Sequence, residues 1–182
     1  MPRDLVPYTL EQLKTLLAMA SLSDRCLIYL FVLSGITAGA IHPLYWKNLQ
    51  KLDNGLAFLV VCANSKDERY RTLVTSECLA ELEKYRARKV SMGEKVGPDS
   101  PLLRDQFAPL SKLTNRAKRL KYSAVNAIMR RLMSKAAFPF DNIQPDHGFR
   151  NYFSTTARNC KLDRVQASVN GSIVRAGGHI RF

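Results

Sequence analysis

His147 and Arg150 have the most chemistry to offer in this chain. They stand three apart in Gln144-Pro145-Asp146-His147-Gly148-Phe149-Arg150-Asn151-Tyr152-Phe153-Ser154-Thr155, a stretch that reads as the start of an aromatic-rich helix. On a helix, positions three apart share a face, so one imidazole and one guanidinium can address the same phosphate. A guanidinium is always charged and grips phosphate oxygens with two parallel hydrogen bonds. An imidazole titrates near neutrality and suits proton handling. The pair therefore points to phosphodiester chemistry. The setting agrees, because 28 Lys and Arg against 15 Asp and Glu give a net charge of +13 over 182 residues. A basic excess of that size calls for an anionic partner, duplex DNA first and structured RNA as the alternative.

Other basic residues fall into two groups. Lys112, Arg116, Lys118, Arg119 and Lys121 run without one acidic residue between them, and Arg130 follows on the next helical stretch. As a DNA surface they would contact backbone phosphates, which confers affinity and salt dependence rather than sequence choice. As plain surface they would be a solvated face. Lys66 sits in a polar turn between two β-like segments, the usual place for a solvated lysine. Tyr45 and Trp46 could stack on bases, but Trp46 reads better as a core residue. His42 precedes Pro43 and reads as structural, and Tyr152, two positions past Arg150, reads as core.

Several classes are excluded or disfavoured. The longest apolar run, residues 26–36, is too short to span a bilayer. Met1-Pro2-Arg3-Asp4 is no secretory leader. Cys26, Cys62, Cys78 and Cys160 are scattered, with no CxxC spacing, so neither a zinc site nor a redox motif is expected. The expectation is an intracellular, cytoplasmic protein without metal, cofactor or small-molecule substrate.

The elements that must position these residues can be read from pattern. Thr9-Leu10-Glu11-Gln12 is a capping box, followed by Leu10, Leu13, Leu16, Leu17 and Ala20 at helical spacing. Residues 24–33 form a helix apolar nearly all round, hence central to the core, and Ser34-Gly35 ends it. A short helical piece spans 38–44. Residues 56–62 and 69–74 pair as antiparallel strands across a turn at 63–68. Thr75-Ser76 opens a charged amphipathic helix to about 92. Residues 93–110 hold three prolines and two glycines and read as a long loop, a kind that is often functional or mobile. Helices follow over 123–137 and from His147 to about 160. The pattern dissolves over 161–182, so the expected organisation is one domain, 1–160, with an atypical tail.

In this order the segments resemble the catalytic domain of tyrosine recombinases, the phage-integrase family, with archaeal integrases closest in look. The resemblance rests on Ser34-Gly35-Ile36-Thr37-Ala38-Gly39-Ala40-Ile41 followed by Leu44, Trp46 and Leu49. It rests also on the strand-turn-strand with Lys66 in its turn, on Tyr70-Arg71-Thr72-Leu73-Val74-Thr75-Ser76-Glu77 leading into a charged helix, and on the box His147-Gly148-Phe149-Arg150. It covers roughly residues 8–160.

The resemblance implies a mainly α fold with a small antiparallel β-sheet, duplex DNA as partner and self-association on it. It also implies a metal-free transesterification through a 3′-phosphotyrosyl intermediate. His147 and Arg150 would act at the phosphate, Lys66 would be the general acid, and His179, in Gly177-Gly178-His179, would match a second histidine. Two departures predict impaired cleavage: the family's first arginine falls at Thr37, and none of the seven tyrosines follows the last histidine. A non-catalytic DNA-binding remnant is the alternative. Almost no chain precedes Tyr8, so the N-terminal clamping domain that members usually carry is expected to be absent or to lie on another piece.

Overall fold

A computed structural model describes residues 7–53, 55–64, 69–105, 118–138 and 145–159, the last span by backbone alone at 145–147 and 157–159. Helices dominate it, with one small sheet on the side. α1 (Leu10–Met19) starts at the expected capping box: Thr9 accepts from the Gln12 amide and the Gln12 side chain accepts from the Thr9 amide at 2.9 Å. Thr9→Ala removes one half of this exchange. It is expected to destabilise the fold by about 1 kcal/mol, readable as a lower midpoint in thermal denaturation.

α2 (Leu22–Ser34) is the axis of the domain. Cys26, Leu27, Ile28, Leu30, Phe31, Val32 and Leu33 are all buried, on every side of the helix, as its unbroken apolar run predicts. It begins two residues earlier than hydropathy suggests because Ser21 caps it through the Asp24 amide, a hydroxyl bond that polarity patterns do not register. Its C-cap is Gly35 at φ +65°, in the left-handed region that glycine enters without penalty. α3 (Ala38–Ile41) is a single turn, shorter than the 38–44 expected.

The sheet has three antiparallel strands, one more than the pattern shows. β1 (Leu49–Lys51) pairs with β2 (Ala57–Val61), which pairs with β3 (Tyr70–Val74). β1 is only three residues long and mostly exposed, too short to show alternation. β2 is buried and central, with Ala57, Leu59 and Val61 fully inside. α4 (Ser76–Ser91), capped by Thr75, packs against α2.

The described part of the long loop, 93–105, is pinned rather than free. Trp46 and Lys47 amides donate to the Ser100 and Pro98 carbonyls at 3.1 and 2.9 Å, and the Leu102 amide donates to Leu44. Arg104 and Glu94 form an ion pair buried on both sides. Lys118 to Lys121 is extended rather than a helix face: Arg119 forms an isolated antiparallel bridge with Arg104, and Lys121 caps α5 (Tyr122–Lys135). α6 (Pro145–Asn159) closes the domain against α2. Residues 161–182 lie outside the described residues. No helix among the described residues is long and apolar enough to cross a membrane.

Candidate functional site

α6 carries both His147 and Arg150 on its first turns, so their i, i+3 spacing is realised on a helix. How α6 is seated determines where that helix face looks. Phe149 is 1% exposed and stacks between Tyr8, at 4.6 Å, and Phe31 of α2, at 5.6 Å. Phe153 lies on Gly35, so close that a Cβ there would meet its ring at 2.5 Å. Tyr152 is half-buried against the same core, as its position suggests. With Phe149, Tyr152 and Phe153 turned inward, Arg150 is left exposed.

Three segments pack together here: α6, the α2–α3 connection and β3. The α2–α3 connection carries Ser34, Gly35 and Thr37. β3 is tied to it where the Thr72 hydroxyl donates to the Ser34 carbonyl at 2.8 Å. Tyr70 heads β3 at the turn end of the hairpin, opposite Val61. Burial, and to a lesser degree Cys62, push the Tyr70 hydroxyl up to about 12, while the Arg150 guanidinium pulls it down.

The expected site residues fare unevenly. Arg150 rides on α6, whose Phe153 lies on Gly35, two positions before Thr37. His147 is placed by its backbone only. Lys66 falls in the β2–β3 turn but, like His179, Lys112 and Arg116, lies outside the described residues. Thr37 caps α3 without a side-chain hydrogen bond and is exposed. A longer cationic side chain there would displace nothing. Thr37→Arg is expected to change stability by less than about 0.5 kcal/mol, which a denaturation curve would show.

Lys118, Arg119, Lys121 and Arg130 are all exposed. Arg119 belongs to a group that sequence reasoning did not assemble. Its guanidinium lies 5.7 Å from the Tyr45 ring centre, and the Lys47 ammonium lies 5.5 Å from the same centre. Lys47 also pairs with Asp99 at 2.7 Å. Trp46 is core, at 7% exposure, with Arg86 over its ring. His42 is structural, its Nδ1 3.3 Å from the Leu120 carbonyl. Tyr70 was missed as a neighbour of Arg150; its only signal in the chain is an aromatic at the head of the return strand. Among the described residues no group of three His, Cys, Asp or Glu could hold a metal ion.

No family model matches the sequence, and no curated protein matches it. Solved structures do match the fold. XerA recombinase superposes with a TM-score of 0.65 at 19% identity, over 87% of this chain and 52% of that one. The XerH site-specific recombinase bound to difH substrate, a pre-cleavage complex, gives 0.64 at 17%, over 87% and 43%. XerH bound to palindromic difH substrate, a post-cleavage complex, gives 0.60 at 16%, over 85% and 43%. The chain thus spans about half the length of the structures it matches. The described residues have the fold of a tyrosine-recombinase catalytic domain, mainly helical with a small antiparallel sheet.

Proposed function

We propose that this chain is a DNA-binding, tyrosine-recombinase-like protein for site-specific recombination or integration through a 3′-phosphotyrosyl intermediate. The observation that carries the reading is the recombinase-like fold, in which α6, bearing an exposed Arg150, is seated on the α2–α3 connection through Phe153. In this reading Arg150 neutralises the non-bridging oxygens of the scissile phosphate, His147 positions it and handles protons, Lys66 as general acid protonates the leaving 5′ oxygen, and His179 stands for the second histidine. Lys118, Arg119, Lys121 and Arg130, with Lys112 and Arg116, grip the flanking backbone. The XerH neighbours, caught on their substrate before and after cleavage, support DNA as the partner. Preorganised donors aimed at the charge that develops in such a transition state contribute several kcal/mol.

The same reading makes cleavage by this chain weak or absent, because the attacking tyrosine, expected after the last histidine, is not among the seven tyrosines of this sequence. Thr37 brings no positive charge to the position where a second guanidinium would neutralise the phosphate, and losing one such donor costs on the order of 10² to 10³ in rate. A second reading, a non-catalytic DNA-binding remnant, is favoured by that residue. Trapping of a covalent protein–DNA adduct by the chain carrying Thr37→Arg together with a family-like C-terminal segment that supplies the tyrosine separates the two: an adduct marks a working catalytic core, and none favours the remnant. The test of the shared root is anisotropy of a labelled duplex across a salt series. Tight binding with a steep salt slope supports it; absence of binding at low salt would sink it.

A further inference from the structure

Residues 97–105 join two other segments in a ribbon outside the three-stranded sheet. On one side Tyr45 bridges Pro101 and the Lys47 amide donates to the Pro98 carbonyl at 2.9 Å; on the other, Arg104 bridges Arg119. Neighbouring residues of an extended chain point to opposite faces. Leu44, Trp46 and Leu120 are accordingly buried, while Lys47 and Arg119 are exposed. Both cations gather at the half-buried Tyr45 ring, the Lys47 ammonium 5.5 Å and the Arg119 guanidinium 5.7 Å from its centre, distances at which a ring attracts a cation. Arg119 makes no ion pair with a carboxylate of the described residues. Lys47 has one, Asp99 of the same ribbon, at 2.7 Å. The Asp99 side chain is 82% exposed and that of Lys47 56%, and a pair so open to water is weak. Along the ribbon Lys47, Lys118, Arg119 and Lys121 are exposed, and Asp99 and Asp105 offset two of these charges; the buried Arg104 is answered by Glu94. The balance is therefore positive with both carboxylates counted.

We propose that Lys47 and Arg119 form a phosphate-binding point on a different element from Arg150, and that Asp99 competes for it as an internal stand-in for the phosphate. The proposal rests on the reading of this chain as a DNA-binding protein, and its ligand is a backbone phosphate of duplex DNA. A phosphodiester oxygen and a carboxylate oxygen offer an ammonium the same kind of anionic acceptor. Lys47 exchanges one for the other when DNA approaches. The Arg119 guanidinium, with no carboxylate to give up, takes phosphate oxygens through two hydrogen bonds. Releasing Asp99 offsets part of the gain at Lys47. Asp99 thus lowers affinity for the backbone and leaves sequence choice alone, since phosphate contacts carry none.

The test is anisotropy of a labelled mixed-sequence duplex with the full chain across a salt series. The variants are Lys47→Gln, Arg119→Gln, Asp99→Asn and the double variant Lys47→Gln with Asp99→Asn. All three side chains are exposed, so melting temperatures should match the parent. Lys47→Gln and Arg119→Gln are each expected to lower affinity about three- to tenfold at moderate salt and to reduce the slope of log K against log salt by about one. Asp99→Asn is expected to raise affinity about two- to fivefold, the range an exposed ion pair commands. In the Lys47→Gln background that gain should shrink to less than about 1.5-fold, because the pair is already gone. Unchanged affinity and slope in Lys47→Gln or Arg119→Gln, or an equal gain from Asp99→Asn with and without Lys47, overturns the proposal; a parent that binds leaves the DNA reading standing. A parent that fails to bind the duplex at low salt overturns both.

Discussion

Gly35→Ala is expected to destabilise the domain by about 3 kcal/mol and lower its melting temperature by roughly 6–12 °C. Two effects add. The residue sits at φ +65°, where a side chain costs about 1–2 kcal/mol. The new Cβ also meets the Phe153 ring at 2.5 Å, and overpacking of that kind costs about 1–3 kcal/mol. The ring cannot yield cheaply, because α6 is held one turn earlier by Phe149 between Tyr8 and Phe31. Phe153→Leu in the same chain should restore part of the loss, with a coupling of about 1 kcal/mol or more in a double-mutant cycle. Additive losses would mean that the two residues do not meet. The displaced α6 should also weaken DNA binding, since Arg150 rides on that helix.

Arg150→Ala is the second large effect. Duplex-DNA affinity is expected to fall about tenfold at moderate salt, and the slope of log K against log salt to drop by about one. Stability should hardly change, because the side chain is exposed. Arg150→Lys should fall between, as an ammonium keeps the charge and loses the two-pronged grip. Anisotropy at several salt concentrations reads all three variants. A variant indistinguishable from the parent in both affinity and slope would remove Arg150 from the DNA surface and take the proposed site with it.

The order of elements was legible because each rests on local physics. Thr9 with Gln12 announces a helix start by mutual hydrogen bonding. The apolar run of α2 can be satisfied only by burial on all sides, and β2 followed by β3 shows strand-forming residues across a polar turn. Gly35 marks a helix end because left-handed backbone is open to it. What stayed hidden is equally physical. β1 is too short to alternate, and the cap at Ser21 is a single hydroxyl bond. The group of Arg119 and Lys47 about Tyr45 joins residues more than 70 positions apart.

For the candidate site, the sequence by itself determined residue types and helical spacing: His147 and Arg150 three apart, a threonine at position 37, and an excess of positive charge. Those follow from composition and the 3.6-residue turn alone. Only the tertiary structure decided that Arg150 faces outward on a helix seated on the α2–α3 connection. That placement depends on the Phe153–Gly35 contact, made between residues 118 positions apart in the chain. Side-chain shape fixes how α6 seats on α2, and no local pattern encodes a fit between two surfaces that meet only in the folded protein.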